Sequence, residues 1–346
     1  MLRLLPFVSA APLAALALTL SSSAPAAGPP PHAAITIASD RDFVNCACVT
    51  GGSGTASDPY AIGPWLVRAP TSGGWALKVD NSKGGVTKFF KIAGITATYN
   101  DLAASHPIAW LVKVTQPTSV ANIVGNNDGT GVRLDSVANV SLGSLSVNLL
   151  NGEGVRLTSS TNVSIVNSKL KAFENGFHAE NSSFITIGAG CKTSCNDFTY
   201  DDGRGLWLQN THDVTVRHLT TAAEDTTAMY LDGAGTYNVD IGFSTANASG
   251  SICPQGQGPT GLVVDTDGGI RLANGAHDNS IHDVTARGNV AMDIASGGDG
   301  FWLNPCTGQH VSISPATAPM GSGNTFANLC YSVTNIPNLP PSICKN

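Results

Sequence analysis

The sequence predicts an all-β protein in which one chain winds into a parallel β-helix of about nine to eleven coils. Three observations lead there. A short segment headed by glycine or alanine recurs along the chain, the residues after its head alternate apolar and polar, and charge is scarce. Of the 346 residues 42% are hydrophobic, which supplies a core and rules out whole-chain disorder. Only 12% are charged and 6% aromatic, which argues against helical bundles with charged outer faces. Glycine numbers 38, as suits a β-rich chain with many tight turns. A net charge of −6 and a pI near 5.7 exclude a general attraction to nucleic acid.

The organisation is read from the N-terminus. Arg3, the apolar run Leu13 to Leu20 and the small-residue site Ala24-Pro25-Ala26 have the pattern of a signal peptide, residues 1–26. Gly28-Pro29-Pro30-Pro31 marks residues 27–34 as a Pro-rich linker. No later stretch has the roughly 18 continuous apolar residues of a membrane span, so a secreted or periplasmic monomer is expected. Residues 35–310 are assigned to the β-helix, with an N-terminal cap over about 35–75, and 311–346 to a C-terminal cap tied by disulfides.

Eight cysteines in an exported chain read first as disulfides. Cys191 and Cys195 could staple one loop, Cys330 and Cys344 could pin the C-terminus, and Cys253 and Cys306 remain by elimination. Cys46 and Cys48 are awkward, because a bridge across one residue is strained; pairing elsewhere and metal binding both stay open for them.

In register the repeat reads Gly131-Val-Arg-Leu-Asp-Ser, Gly154-Val-Arg-Leu-Thr-Ser, Gly176-Phe-His-Ala-Glu-Asn, Gly205-Leu-Trp-Leu-Gln-Asn and Ala228-Met-Tyr-Leu-Asp-Gly. Gly269-Ile-Arg-Leu-Ala-Asn continues it and Gly300-Phe-Trp-Leu-Asn-Pro closes it; Ala76-Leu-Lys-Val and Leu111-Val-Lys-Val fit more loosely. The clearest spacings are 23, 22, 29 and 23 residues, and longer gaps imply loop insertions. Eight residues after each head, Asn139, Asn162, Phe184, Asp213, Thr236 and His277 precede a second strand, with alternations such as Val140/Leu142 and Val163/Ile165. A repeat this short cannot bury its own apolar face, but stacked coils can. A propeller blade would need about 40–45 residues, and the strict leucine signature of a leucine-rich repeat is absent.

The pattern Gly-Val-x-Leu-x-x-Ser-x-Asn-Val-x-Ile, best in Gly131 to Leu142 and Gly154 to Ile165, resembles the repeat of right-handed parallel β-helix proteins. These include pectate-lyase-like enzymes and carbohydrate-binding and sugar-hydrolase modules. The entry segment Gly54 to Ile62, followed by Trp65-Leu66-Val67, is similar to the start of such modules. The likeness spans about residues 50 to 310. It implies a right-handed helix acting on carbohydrate, although fold alone does not carry chemistry.

The first strand of each repeat fixes a direction. Residues one and three after the head are apolar and face the core, so residue two faces out. That column reads Lys78, Lys113, Arg133, Arg156, His178, Trp207, Tyr230, Arg271 and Trp302, with Asp80, Thr115, Asp135, Thr158, Glu180, Gln209, Asp232, Ala273 and Asn304 two residues on. Coils sit about 4.8 Å apart, so a basic strip passing into an aromatic one is expected, with carboxylates beside it. Aromatic faces stack on sugars and Arg forks grip carboxylates or sulfates, which points to an acidic extracellular or cell-wall polysaccharide as partner. The bland alternative is a solvated face whose cations pair with Asp.

A second column is acidic: Asp128, Glu153, Glu174, Asp201, Asp202, Glu224, Asp225, Asp267 and Asp299 stand just before the heads. Carboxylates on neighbouring coils would lie within the separations used in glycoside hydrolysis. Asp202-Gly203 followed by Glu224-Asp225 is similar to the paired acids of polygalacturonase-type hydrolases, which implies catalytic roles for Asp202, Glu224 and Asp225. The second Asp-Asp pair and the His-Gly segment of those enzymes are missing. A lyase would instead need an Arg base, for which Arg204, Arg217, Arg271 and Arg287 are available. Asp265, Asp267 and Asp293 could supply oxygen ligands to Ca²⁺. His212-Asp213, His277-Asp278 and His282-Asp283 are not expected to form hydrogen-bonded pairs, since strand neighbours point to opposite faces. The sequons at Asn139, Asn162, Asn181 and Asn247 recur where the repeat wants Asn and read as structural.

The expectation is a secreted, polysaccharide-recognising β-helix, acting as a lyase or glycoside hydrolase on an acidic glycan. The alternative is a non-catalytic binding or structural β-helix of the periplasm or cell surface.

Overall fold

The computed structural model describes residues 28–68, 74–98, 106–200, 203–224, 227–249, 268–287, 290–294, 300–304, 309–313, 323–327, 329–331 and 343–345. Almost every described element is a strand, and all but two of the strands stack into three sheets of ten, eleven and twelve members, parallel except where Val49–Gly51 meets Tyr60–Ile62. Each coil contributes one strand to each sheet in turn. The coil at 153–172, for example, runs through Glu153–Thr158 in the ten-stranded sheet (sheet one), Thr161–Val166 in the eleven-stranded sheet (sheet two) and Lys169–Ala172 in the twelve-stranded sheet (sheet three). This is the parallel β-helix that the repeat predicts.

The register follows the repeat. Val132 lies opposite Val155, Val155 opposite Phe177, Phe177 opposite Leu206 and Leu206 opposite Met229. The long 29-residue spacing holds an insertion between strands Ser183–Ile187 and Asn196–Tyr200, closed by the Cys191–Cys195 disulfide. Cys46 and Cys48 are bonded to each other, which overturns both readings kept open for them, pairing elsewhere and a metal site. Cys330 lies opposite Cys344 in adjacent parallel strands, while Cys253 and Cys306 fall outside the described residues, as do residues 1–26, read above as a signal peptide. Pro31–His32 pairs with Leu66–Val67, so the sheets begin within the segment read as a linker. The cap contributes one short helix, Asp40–Asn45, whose first turn is closed by a capping box between Ser39 and Asp42. Among the described residues no helix is long and apolar enough to cross a membrane.

The heads of the repeats are glycine because coils approach closely there. A Cβ on Gly154 would stand 2.5 Å from the Gly176 carbonyl oxygen and 2.9 Å from Leu170 Cβ; one on Gly131 would stand 2.3 Å from the Gly154 oxygen. Where the chain leaves sheet one, buried hydroxyls run from coil to coil. Ser160 N donates to Ser182 Oγ, Ser182 N to Thr211 Oγ1 and Thr211 N to Thr236 Oγ1, so the corner amides are satisfied inside the core. The corner into sheet two takes a left-handed residue. Asn139, Asn162, Phe184, Asp213, Asn238 and Asp278 all have φ between 51° and 59°. Asn238 and Asp278 replace the expected Thr236 and His277. A turn through Gly233 adds residues ahead of Asn238, and Thr236 is buried in the hydroxyl ladder instead. Asn162 donates to Asn139, a ladder that accounts for asparagine at these sequons.

Gly154→Ala should therefore destabilise the helix by about 1–3 kcal/mol through overpacking, read as a lower urea midpoint with an unchanged slope.

Candidate functional site

The outward column of sheet one reads Lys78, Trp110, Arg133, Arg156, His178, Trp207, Tyr230 and Arg271, each beside the next. Arg133, Arg156, His178, Trp207, Tyr230 and Arg271 thus stand in the order that the alternation predicts. Two members are corrected. Trp110 takes the place of Lys113, because Ala109 and Leu111 are the core residues of that strand and Lys113 sits at a left-handed corner with φ 52°. Thr115 drops out of the companion column with it, and Val112 stands there. Trp302 lies outside sheet one: Gly300–Asn304 pairs antiparallel with Gln309–Ile313. Val290–Ile294 continues the sheet instead, in a register that sets Met292, Asp293 and Ile294 opposite Ile270, Arg271 and Leu272.

The column is packed along its own length. His178 and Trp207 stack with ring centroids 4.0 Å apart and planes within 4°, and Tyr230 follows at 6.3 Å. The Arg204 guanidinium lies 4.3 Å from the Trp207 centroid and 4.7 Å from that of Tyr230, and Arg271 covers Tyr230 at 5.4 Å. At the other end Lys78 sits over Trp110 at 4.0 Å and Trp75 at 4.8 Å, with Arg133 on Trp110 at 4.8 Å. The rings of Trp110, Trp207 and Tyr230 are thus covered by their neighbours, and the polar tips Trp207 Nε1 and His178 Nε2 are themselves buried. Tyr230 and His178 are 7% and 4% exposed, which corrects the expectation of a solvated aromatic strip. The cause is the coil spacing, which matches the stacking distance of flat side chains.

Carboxylates answer the cations. Lys78 pairs with Asp80 at 2.8 Å, and that pairing with further hydrogen bonds holds Asp80 at about 2 against the opposing effect of burial. Asp135 accepts from Arg133 Nε at 2.9 Å and from Trp110 Nε1 at 2.7 Å. Asp232 accepts from Asn274 and raises the Tyr230 hydroxyl, whose burial acts in the same direction.

The centre of the strip is built on Glu153, which is 3% exposed. Its Oε1 accepts from His178 Nδ1 at 2.7 Å and Asn175 Nδ2 at 2.9 Å, and its Oε2 from Arg156 Nη1 at 3.2 Å. Arg156 also reaches Glu180 at 3.5 Å. Burial alone would raise the Glu153 carboxyl. The hydrogen bond and charge of His178, the Arg156 guanidinium and the Asn175 amide outweigh it and hold the group below its ordinary range. Glu174, whose backbone N–H donates to the Gly152 carbonyl one coil back, is shifted the other way. Desolvation and the negative charge of Glu153 push its carboxyl up. Two acids on adjoining coils are thereby shifted in opposite directions, the buried Glu153 downward and the exposed Glu174 upward. His178 Nε2 is buried without a hydrogen-bond partner.

Sequence reasoning counted Glu153 and Glu174 in the acidic column but did not join them to His178. The available signal was diagonal: Glu153 precedes one head, and His178 follows the next head by two residues. Of the acids singled out as catalytic, Asp202 and Asp225 lie outside the described residues, and Glu224 ends the strand Leu219–Glu224 opposite Ser249. Asp265 and Asp267 also lie outside. Among the described residues no group of three or more His, Cys, Asp or Glu could hold a metal ion.

Sheet two carries the His-Asp pairs, and here the expectation fails. His212, His277 and His282 bond through Nδ1 to Asp213, Asp278 and Asp283 at 2.9, 2.7 and 2.8 Å. All three aspartates occupy left-handed corners, φ 55°, 51° and 52°, where strand alternation no longer applies.

Comparison with protein-family models and with curated proteins returns no match. Among solved structures the chain is similar to the A-module of a mannuronan C-5 epimerase of Azotobacter vinelandii, at 12% identity and TM-score 0.32, covering 86% of this chain and 89% of that one. A likeness at this level bears on no residue of the site.

The depressed carboxyl of Glu153 makes stability depend on acid. A folded-state value below the unfolded one, near 4.3, contributes stability that is present above that pH and lost as pH falls through the folded value. Glu153→Gln should cost about 1–3 kcal/mol at pH 7, because it takes the carboxylate from the buried His178, while the part-exposed Arg156 keeps Glu180. The loss should shrink at pH 3, and urea unfolding at the two pH values measures both.

Proposed function

We propose that the outer face of sheet one binds an acidic polysaccharide outside the cell and that its centre, Glu153, Glu174, Arg156 and His178, performs acid–base cleavage of the chain. The observation that carries this reading is the pair of carboxylates on adjoining coils with pKa values pushed in opposite directions, an arrangement that separates a proton donor from a fixed negative charge. Glu174 is the acid that donates to the leaving oxygen, and the bond breaks either by attack of water on the anomeric carbon or by loss of the uronate C5 proton, the released proton passing to solvent. Glu153 is fully engaged by its three donors, so it acts through His178 and Arg156 rather than on substrate. Arg133, Arg156 and Arg271 offer guanidinium edges to uronate or sulfate groups, and Glu180, Trp207, Tyr230 and Asp232 line the path.

A second reading is supported by the pairing itself. Arg133 and Arg156 already have carboxylate partners and the ring faces are occupied, as in a strip that stiffens a non-catalytic binding or structural β-helix.

Incubation with polygalacturonate, alginate and glycosaminoglycans separates the two. Absorbance near 235 nm would mark a lyase, new reducing ends without it a hydrolase, and neither would leave the scaffold. With activity in hand, Glu174→Gln should lower turnover by about 10²-fold or more while binding stays within twofold. Equal loss from Arg133→Ala alone would move the chemistry away from Glu174.

A further inference from the structure

Sheet two carries a feature that the reading of sheet one does not touch. At its entry corner the left-handed position is held by Asn139, Asn162, Asp213, Asn238 and Asp278, short polar residues that tolerate positive φ and bond along the column. Phe184 interrupts them with φ 54° and 59% exposure. At the exit corner Phe243 does the same, φ 53° and 54% exposed, between His218 and Asp283 in their own left-handed positions. A bulky ring in this conformation is strained, and a ring left in water adds a second cost. Two such residues on opposite edges of one sheet, in the coils whose corners carry further rings, call for a ligand.

The surroundings say which kind. From Phe184 a row of rings runs along the entry edge: His212 meets it edge-on at 6.4 Å, Tyr237 stacks on His212 at 4.6 Å and His277 on Tyr237 at 5.4 Å. Asp213 and Asp278 hold the Nδ1 atoms of the two histidines, so the rings are fixed in orientation. On the exit edge Phe243 lies between His218 and His282. Asp240 stands on the sheet between the edges, bonded to Arg217 and to His282 Nε2. Asp213, Asp240, Asp278 and Asp283 outnumber Arg217, so a polyanion is repelled. The ring edges and carboxylates present hydrogen-bonding groups at the coil spacing of about 4.8 Å, close to the rise of one sugar unit in an extended chain.

We infer that the outer face of sheet two around Phe184, Tyr237 and Phe243 is a second, independent binding surface for a neutral, extended polysaccharide. Phe184 and Phe243 are the stacking platforms, and the oriented His and Asp side chains bond its hydroxyls. The surface lies on a different sheet from Glu153 and Glu174, and its occupancy does not depend on any chemistry there.

The test uses the full mature chain and pull-down on microcrystalline cellulose, chitin and insoluble mannan. The wild type should be retained by at least one. Phe184→Asn and Phe243→Asn, which restore the residue type of the columns, should each lower retention tenfold or more with Tm unchanged or raised, and Glu174→Gln should leave retention intact. Retention of both Phe variants at the wild-type level, or of no protein on any of the three, would overturn the inference. So would a fall in Tm in both, since the rings would then be part of the packing. A wild-type dimer in sedimentation that the same changes dissolve would overturn it in favour of a second copy of this chain.

Discussion

The parallel hydrogen-bond ladder between successive coils is the constraint on which the rest of the structure depends. A coil has no partner except the coil before and the coil after it, so every strand must repeat the register of its neighbour. Side chains at equivalent positions are then forced into columns, as Val132, Val155, Phe177, Leu206 and Met229 show inside and Arg133, Arg156, His178, Trp207 and Tyr230 show outside. Extra residues inside a strand would move a whole column across the sheet, so apart from a bulge at the end of Ser146–Asn151 they leave at corners, where Cys191–Cys195 closes one such excursion.

The same constraint explains why polar groups run in rows. A corner amide that points inward meets the same need in every coil, and one solution repeats: Ser160, Ser182, Thr211 and Thr236 pass a hydroxyl from coil to coil. A left-handed corner also repeats its demand, and asparagine or aspartate answers it at the entry to sheet two, with serine, histidine or lysine at other corners. Departures stand out against this regularity. Phe184 and Phe243 break the rule at corners without a structural return, and Glu153 places a buried carboxylate where other coils carry Thr130, Asn175 or Arg204.

Column packing also changes what a charged or aromatic residue can do. An outward arginine on a lone strand is free to meet a ligand; here Arg156 is drawn to Glu153 and Glu180, and Arg204 lies on two rings. The strip on sheet one is thus close to self-neutral, and what it offers is orientation more than net charge. Glu153 and Glu174 differ in kind because one is enclosed by three donors while the other faces that enclosed charge with no such company.

The sequence by itself determined the architecture, the face of each strand and most of the outward column, because period-2 alternation and a repeated glycine act locally and survive any tertiary context. The same alternation misled at His212-Asp213 and its two counterparts, where a left-handed corner swings the aspartate round to its neighbour. It misled again at Lys113, where a loosely matching head left the register to core packing, and at Trp302, where a well-matching segment pairs antiparallel outside the sheet. Only the tertiary structure decided that His178 and Tyr230 are buried among their neighbours, that Cys46 pairs with Cys48, and that Glu153 is the centre of the strip. Apart from the local Cys46–Cys48 bond, these are relations between coils, set by distances of a few ångströms across the stack. No spacing along the chain encodes them until the coils are laid one on another.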